Sequence, residues 1–178
     1  MITSALPGEG KTMVAANLGI AFAEAGVRTL VVDTDLRRGR LHRLFGYRRA
    51  PGLGDVLAGE MPAEKAIRPT PRENLYVMNA GKAPEPGGDP LASEALAKTI
   101  AQLRDSLDLV ILDAPPVLGL LATGILAPHT DAAVLVISGA QFSPNAVGAA
   151  VEILRGSGVK LRGFVVNRAR DAEGFGLL

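Results

Sequence analysis

Short apolar runs rich in Val, Ile and Leu alternate along this chain with longer stretches of helical periodicity. The runs are five to seven residues long, and side chains that would point to either face of a sheet are apolar, which is typical of parallel strands buried on both faces. The pattern predicts strands at Thr29–Asp33, Leu75–Asn79, Leu109–Asp113, Ala132–Ser138 and Gly163–Asn167.

Three helices are predicted between these strands. The segment Thr12–Ala25 is apolar nearly all round and is followed by Gly26, which predicts a buried helix with a glycine C-cap. Further helices are predicted at Leu91–Leu107, behind Pro90, and at Pro144–Arg155. One apolar face of the second helix would consist of Leu96, Ile100, Leu103 and Leu107.

The alternation of strands and helices predicts one α/β domain over residues 1–178, with a mostly parallel sheet flanked by helices on both faces. Ligands of such sheets bind beyond the carboxyl ends of the strands. Two segments interrupt the rhythm. A basic segment, Arg37–Arg49, leads into a predicted turn at Ala50–Glu60, and Ala80–Pro90 is rich in Pro and Gly and predicts a loop.

Composition narrows the functional classes. The chain has 178 residues, 48% hydrophobic, and its formal charge of +1 gives no global field that would recruit nucleic acid. Because it has no Cys, a thiol nucleophile and a disulfide framework are excluded, and cytoplasm is the default location. No apolar run approaches the roughly 20 residues of a membrane-spanning helix.

Residues Ala5–Thr12, "ALPGEGKT", match the P-loop pattern and precede a helical stretch. Glycines at positions 8 and 10 would let backbone N–H groups curl around a phosphate, and the helix N-terminus adds the positive end of its dipole. Lys11 is expected to reach the β and γ phosphates of ATP, and Thr12 to give its hydroxyl to Mg²⁺. The alternative is a glycine-rich turn before a helix. The nucleotide contacts predicted here are Pro7, Gly8, Glu9, Gly10, Lys11, Thr12 and Met13.

Three carboxylates follow predicted strands. Asp113 ends the run "LVILD" and precedes two prolines, an arrangement that can hold Mg²⁺ or, as the alternative, cap a turn. Asp33 and Asp35 end another strand; one could orient or deprotonate an attacking hydroxyl while the other holds Mg²⁺ through water. The alternative is that one caps the turn and the other pairs with Arg37 or Arg38.

These motifs together resemble a known family. The order of "SALPGEGKT", "VVDTDLRRGRLHRLFG", "PGLGDVLAGE", "NLYVMNAGKAPEP", "LVILDAPPVL" and "GFVVNRAR" is similar to the cytoplasmic kinase domain of bacterial tyrosine kinases that control capsule and exopolysaccharide assembly, members of the P-loop ATPase superfamily. The resemblance implies catalytic roles for Lys11, Asp33, Asp35 and Asp113, with Asp33 as the base. It implies Mg²⁺ ligation by Thr12, Asp35 and Asp113, and adenine contacts by Asn167 and Arg168.

The resemblance also implies partners. It implies a homo-oligomer that phosphorylates the tyrosine-rich tails of neighbouring chains, and a membrane-bound polysaccharide co-polymerase as adaptor. It places the chain in the cytoplasm, peripheral at the inner face of the membrane. Partition and division-site ATPases share the fold but carry a lysine early in the P-loop, where this chain has Leu6 and Pro7.

Three departures from the family pattern modify these expectations. Only "MITSA" precedes the loop, where family members carry a full first strand and an arginine-bearing helix, so we expect a fragment truncated at its N-terminus. The chain ends in "DAEGFGLL" without a tyrosine cluster, and Ala122 stands where the family pattern has an acidic residue. Of the two tyrosines, Tyr76 is expected in the core, which leaves Tyr47 as a weak internal acceptor.

The basic segment keeps several interpretations open. Its arginines could bind a neighbour's acidic surface, the adaptor's cytoplasmic tail or nucleotide phosphates, or could form a solvated face. They are Arg37, Arg38, Arg40, Arg43, Arg48 and Arg49.

The function expected from these observations is an ATP- and Mg²⁺-dependent, autophosphorylating protein-tyrosine kinase. Alternatives are a regulatory switch that only hydrolyses ATP and a non-catalytic nucleotide-binding scaffold. The missing first strand and Ala122 would permit the scaffold.

Overall fold

The structure, a computed structural model, describes residues 1–84, 89–118 and 121–169. A seven-stranded sheet with the order β3-β4-β2-β5-β1-β6-β7 forms its centre. Neighbouring strands run parallel except β3, which is antiparallel to β4. The strands are β1 Ile2–Ser4, β2 Thr29–Asp33, β3 Ile67–Pro69, β4 Leu75–Met78, β5 Leu109–Asp113, β6 Ala133–Ser138 and β7 Leu161–Asn167.

Helices cover both faces of the sheet, which confirms the predicted three-layer α/β fold. The described helices are α1 Lys11–Glu24, α2 Leu41–Leu44, α3 Leu53–Leu57, α4 Ala63–Ala66, α5 Glu94–Ser106, α6 Ala122–Leu126 and α7 Pro144–Gly156. Alternate residues of β2 enter different cores: Val31 packs with α1 and α2, whereas Leu30 and Val32 pack with the layer formed by α3 to α7.

The predicted helices form within a few residues of their expected bounds. Gly26 follows α1 with a left-handed φ of 83°, as expected of a glycine that ends a helix. Helix α5 begins three residues later than predicted, because Asp89 accepts a hydrogen bond from Leu91 N and starts a separate 3-10 turn at Pro90–Ala92. The leucine and isoleucine side chains at 96, 100 and 103 are buried as expected.

The expectation that the first strand is missing is wrong. Ile2–Ser4 forms β1 in the middle of the sheet, paired with β6 at three positions and with β5 at one. The Thr3 hydroxyl donates a hydrogen bond to Pro115 O at 2.8 Å, which links β1 to the segment after β5. Three residues are enough because both neighbouring strands supply hydrogen-bond partners.

The segment 50–60, predicted to be a turn, contains the helix α3. Its glycines are typical of a turn, so the sequence pattern did not predict a helix. Gly52 and Gly54 pack so closely on the backbone of residues 79–82 that a Cβ would lie 2.1 Å from Asn79 O and 2.4 Å from Lys82 O, respectively. Buried Asp55 accepts hydrogen bonds from Gly52 N at 2.8 Å and from Lys82 N at 3.2 Å. The glycines therefore serve close packing, and the aspartate caps the helix.

Two predicted segments fall partly outside the description. Residues 85–88 of the Pro- and Gly-rich connection, and the chain end from residue 170, lie outside the described residues. Within the described ranges, every helix is too short or too polar to cross a lipid bilayer.

Candidate nucleotide site

The P-loop lies between β1 and α1, at the carboxyl edge of the sheet. Gly8 and Gly10 have φ values of 85° and 98°, a left-handed conformation that glycine adopts without strain. A Cβ on Gly10 would also lie 2.0 Å from Asn167 Nδ2. The glycine pattern therefore has a steric cause at this position as well as a conformational one.

Glu9 fixes the loop from inside. Its side chain is 3% exposed, and its carboxylate accepts hydrogen bonds from Leu6 N at 2.7 Å and from Ser138 N at 3.2 Å. Its backbone oxygen accepts a hydrogen bond from Asn167 Nδ2 at 2.9 Å. Glu9 thus ties the P-loop to β6 and β7, and its side chain points away from the cavity that the loop borders.

Lys11 lies between two of the predicted carboxylates. Its Nζ is 3.5 Å from Asp113 Oδ1 and 3.6 Å from Asp35 Oδ2. Asp113 is fully buried at the end of β5, in register with Asp33 at the end of β2. The structure therefore brings the four residues with predicted catalytic roles to one edge of the sheet.

Asp33 is fully buried and holds the segment that follows β2. One carboxylate oxygen accepts from Asp35 N at 3.2 Å, and the other accepts from Leu41 N at 3.0 Å. A Cβ on Gly39 would lie 2.5 Å from the same carboxylate, so the segment closes tightly around it. Asp33 does not line the cavity, whereas Asp35 does.

Burial changes the acidity of both strand-end carboxylates. It raises the pKa of Asp33 to about 7, with a further increase from the charge of Asp113 and a smaller opposing effect of the Leu41 N–H and Lys11. Burial also raises the pKa of Asp113, against the effect of the Lys11 ammonium and the neighbouring Thr12 hydroxyl. Such shifts are concentrated at functional sites, although structural ion pairs produce them too.

A cavity of about 730 Å³ opens beside these groups. The P-loop and Asp35 form part of its wall, and a second part is basic. The lining residues are Pro7, Gly8, Gly10, Lys11, Thr12, Met13, Asp35, Arg37, Arg38, Arg40, Arg43, Leu44, Pro116, Leu118 and Arg168.

The two residues predicted to contact adenine lie in different surroundings. Arg168 lines the cavity and has a left-handed φ of 56°, whereas Asn167 is packed against Glu9 and Gly10. The arginines of residues 37–43 are the lining groups whose role the sequence left open. Arg49, from the same basic segment, instead donates a hydrogen bond to Leu36 O.

The geometry suits Mg²⁺ held jointly with a nucleotide. Asp113 Oδ2 is buried without a hydrogen-bond partner, although a buried carboxylate oxygen normally has one. Among the described residues, no three His, Cys, Asp or Glu side chains converge to form a protein-only metal site. Mg²⁺ is usually bound by one or two carboxylates together with phosphates and water, so these residues fit it.

The chain is similar to several known proteins. The model of the AAA domain family matches residues 2–156. The tyrosine-protein kinase YwqD of Bacillus subtilis is 35% identical over 167 residues, which cover 94% of this chain and 70% of the relative. The kinase domain of the Escherichia coli tyrosine kinase ETK superposes with a TM-score of 0.91 at 28% identity, covering 99% of this chain and 69% of that one.

A third similar protein is the septum site-determining protein MinD of Pyrococcus horikoshii, solved in complex with Mg-ADP. Its TM-score is 0.79 at 30% identity, over 97% of this chain and 70% of that one. Several other curated relatives, also named tyrosine-protein kinases, are much longer, and the chain spans only 22% to 24% of their length.

The mostly parallel sheet, the P-loop before α1 and the carboxylates at the carboxyl ends of β2 and β5 define a P-loop ATPase. Within that class, the chain belongs to the bacterial tyrosine kinases, and the AAA domain model covers residues 2–156 of it.

Proposed function

We propose that this chain is the catalytic domain of a protein-tyrosine kinase that transfers the γ-phosphoryl group of ATP to tyrosine hydroxyls. The observation that carries the proposal is the position of Lys11 Nζ, 3.5 Å from Asp113 and 3.6 Å from Asp35 at the mouth of the P-loop, in a chain of this family. The process that the kinase would regulate is the synthesis and export of capsule or exopolysaccharide.

The proposed reaction is a single displacement at phosphorus. The tyrosine oxygen forms a bond to the γ-phosphorus, and the bond from that phosphorus to the bridging oxygen breaks. The electron pair of the broken bond leaves with ADP, and the hydroxyl proton passes to a carboxylate. Catalysis would depend mainly on positioning and charge neutralisation, with Lys11 and the amides of residues 8–12 on the phosphates.

We propose that Thr12, Asp35 and Asp113 hold Mg²⁺. When bound, the cation neutralises charge that develops on the phosphate oxygens. The unpartnered Oδ2 of Asp113 supports this assignment. The ion pairs that Lys11 makes with the two carboxylates keep these groups together at the cavity edge.

We propose Asp33 as the general base. A pKa raised to about 7 suits proton acceptance near neutral pH, because a base works best when its pKa is close to the working pH. In the structure each carboxylate oxygen of Asp33 accepts one backbone hydrogen bond, from Asp35 N and from Leu41 N, and each keeps a second lone pair that can take a proton. Asp35, which lines the cavity, is the alternative base.

The remaining expectations are proposals for the whole protein. They are a homo-oligomer in which one chain phosphorylates the tyrosine-rich tail of its neighbour, a polysaccharide co-polymerase as membrane adaptor, and a cytoplasmic position at the inner face of the membrane. We propose no role for nucleic acid. An internal acceptor is not supported, because the Tyr47 hydroxyl donates to Pro69 O and Tyr47 does not line the cavity.

The second candidate function is an ATP-hydrolysing switch without tyrosine phosphorylation. The similarity to MinD, solved with Mg-ADP, favours it. Leu6 and Pro7 stand where the partition and division-site ATPases carry a lysine, which disfavours their mode of dimerisation.

Incubation with γ-labelled ATP, Mg²⁺ and a tyrosine-rich peptide separates these functions. Labelled tyrosine supports the kinase, whereas free phosphate without labelled tyrosine supports the switch. Nucleotide binding without turnover would support the scaffold. The chain should be tested alone and joined to the segments that flank it in longer relatives.

A further inference from the structure

Four arginines form one side of the cavity. Arg37, Arg38, Arg40 and Arg43, called here the arginine wall, are exposed and lie on the segment between β2 and the end of α2. Within the described ranges, none of the four forms a salt bridge, whereas Arg28, Arg72, Arg104 and Arg155 elsewhere on the surface each pair with a carboxylate. The wall therefore carries positive charge that the described residues leave uncompensated.

The wall is separate from the groups that bind phosphate in a P-loop. The P-loop follows β1 and the wall follows β2, and β5 lies between these strands. Because adjacent strands are about 4.8 Å apart, the two segments leave the sheet roughly 10 Å from each other. Lys11 and the loop amides already provide for the phosphates, so the wall is available to a second ligand.

The wall is also rigidly supported. Asp33 accepts a hydrogen bond from Leu41 N, and Arg49 donates one to Leu36 O, so both ends of the segment 36–41 are fixed. Rigid support reduces the entropy that the backbone loses on binding. The arginine side chains, by contrast, remain free to adjust to a ligand.

Apolar residues border the wall inside the cavity. Leu44 is 43% exposed, and Pro116 and Leu118 also line the cavity. An aromatic ring that carries the acceptor hydroxyl could pack on these side chains, with the arginines close enough to pair with neighbouring carboxylates.

We propose that the arginine wall selects acceptor tyrosines that are flanked by acidic residues. Carboxylates on either side of the tyrosine pair with Arg37, Arg40 and Arg43, while the ring packs on the apolar lining. This inference names the substrate class of the proposed kinase and rests on that function. It also defines an interaction that can be measured without phosphoryl transfer.

The test compares two fluorescent peptides of equal length, one with tyrosine flanked by Glu and one with the same tyrosine flanked by Gln. Binding to the 178-residue chain is measured by anisotropy with Mg²⁺ and a non-hydrolysable ATP analogue, at low and at raised salt. The wall variant is Arg37→Gln, Arg40→Gln and Arg43→Gln. The matched control is Arg68→Gln, Arg155→Gln and Arg162→Gln, which changes the net charge equally at arginines that do not line the cavity.

The wild type is expected to bind the Glu peptide about tenfold more tightly than the Gln peptide, as about two or three partly exposed ion pairs would give, with a smaller ratio at raised salt. The wall variant should lose the preference and the control should retain it. Replacing the same three arginines by Lys should restore most of it, because the charge is kept. Equal unfolding midpoints for the variants would show that the fold is intact.

Three results would overturn the inference: equal binding of both peptides by the wild type, a preference that survives in the wall variant, or a preference lost equally in the control. A wall variant with a raised KM for ATP and an unchanged peptide preference would assign the arginines to the nucleotide instead. The proposed kinase activity fails separately, if neither peptide is labelled by γ-labelled ATP. An acidic preference in binding would then still stand.

Discussion

The P-loop and the arginine wall border one cavity and are supported in similar ways, yet they present different chemistry. Each is held by a buried carboxylate that accepts backbone hydrogen bonds, Glu9 for the loop and Asp33 for the wall. The loop offers backbone N–H groups and one lysine. The wall offers four long, charged side chains.

This difference determines which of the two regions tolerates substitution. Phosphate binding by backbone N–H groups depends on the conformation of the loop, which requires Gly8 and Gly10 and the hydrogen bonds that the buried Glu9 carboxylate accepts. Recognition by arginine side chains can change through substitutions at exposed positions that leave the core untouched. Substitutions of the wall arginines should therefore change acceptor preference and leave nucleotide binding by the P-loop backbone intact.

The largest effect is expected for Lys11→Met, which removes the cation of the loop. Tyrosine labelling should fall about a thousandfold, the loss typical when a group that stabilises developing charge is removed. The measurement is kcat/KM with labelled ATP and an acceptor peptide. Lys98→Met, at an exposed position on α5, is the control and should leave labelling unchanged. Intact labelling in Lys11→Met would refute the site assignment.

The second effect concerns the carboxylate that supports the wall. Because the folded pKa of Asp33 is about 7, above its value of about 3.9 in an unfolded chain, the folded state keeps a proton that the unfolded state loses between these pH values. The stabilisation is complete below about pH 4 and is lost as pH rises through 7, at roughly 1.4 kcal/mol per pH unit.

Asp33→Asn should remove this contribution, so its free energy of unfolding should depend less steeply on pH than that of the wild type. Urea unfolding in EDTA, from about pH 4 to pH 8, measures the slope. Asp105→Asn, at an exposed carboxylate on α5, should follow the wild type. A variant at position 33 with the wild-type slope would contradict the raised pKa.

The third effect concerns the corresponding support of the P-loop. Glu9→Ala leaves Leu6 N and Ser138 N without their acceptor, which should lower the free energy of unfolding by about 2–4 kcal/mol and weaken nucleotide binding. Chemical denaturation and nucleotide titration measure the two losses. Glu24→Ala removes an exposed partner of Arg72 and should cost less than about 1 kcal/mol. If both variants lost the same free energy of unfolding, the buried hydrogen bonds of Glu9 would contribute no more to stability than the exposed ion pair of Glu24.

The smallest effect is expected for Arg49, which supports the segment that carries the wall. Arg49→Ala removes the hydrogen bond to Leu36 O and should lower the free energy of unfolding by about 1–2 kcal/mol. Arg48→Ala, one residue away and exposed, should change it by less than about 0.5 kcal/mol. If the two variants unfold alike, Arg49 does not support the wall.

The sequence predicted the parts of the fold that local pattern determines. Buried parallel strands and α1 have strong apolar patterns, so their positions were found within a few residues. The helix α3 was missed because its glycines indicate a turn, whereas their cause is close packing on residues 79–82. A contact between distant segments leaves no periodic signal in either of them.

In the candidate site, too, local sequence patterns were predictive and contacts between distant segments were not. Motif spacing identified Lys11 and Asp113, and the structure brings them within 3.5 Å. Glu9 was predicted as a nucleotide contact, but its side chain is directed towards Ser138, a residue 129 positions away. Likewise, nothing in the order of the arginines showed that those at 37–43 face the cavity while Arg49 supports the segment.

The central position of β1 has a consequence for how the domain assembles. Ile2 is in register with Asp113 and with Val134, so the sheet can close only when segments more than a hundred positions apart have met. Pairing over such separations has a high entropic cost and slows folding. The P-loop, which directly follows β1, should therefore reach its final conformation late in folding. During refolding, the binding of a fluorescent nucleotide should appear later than helix formation measured by circular dichroism.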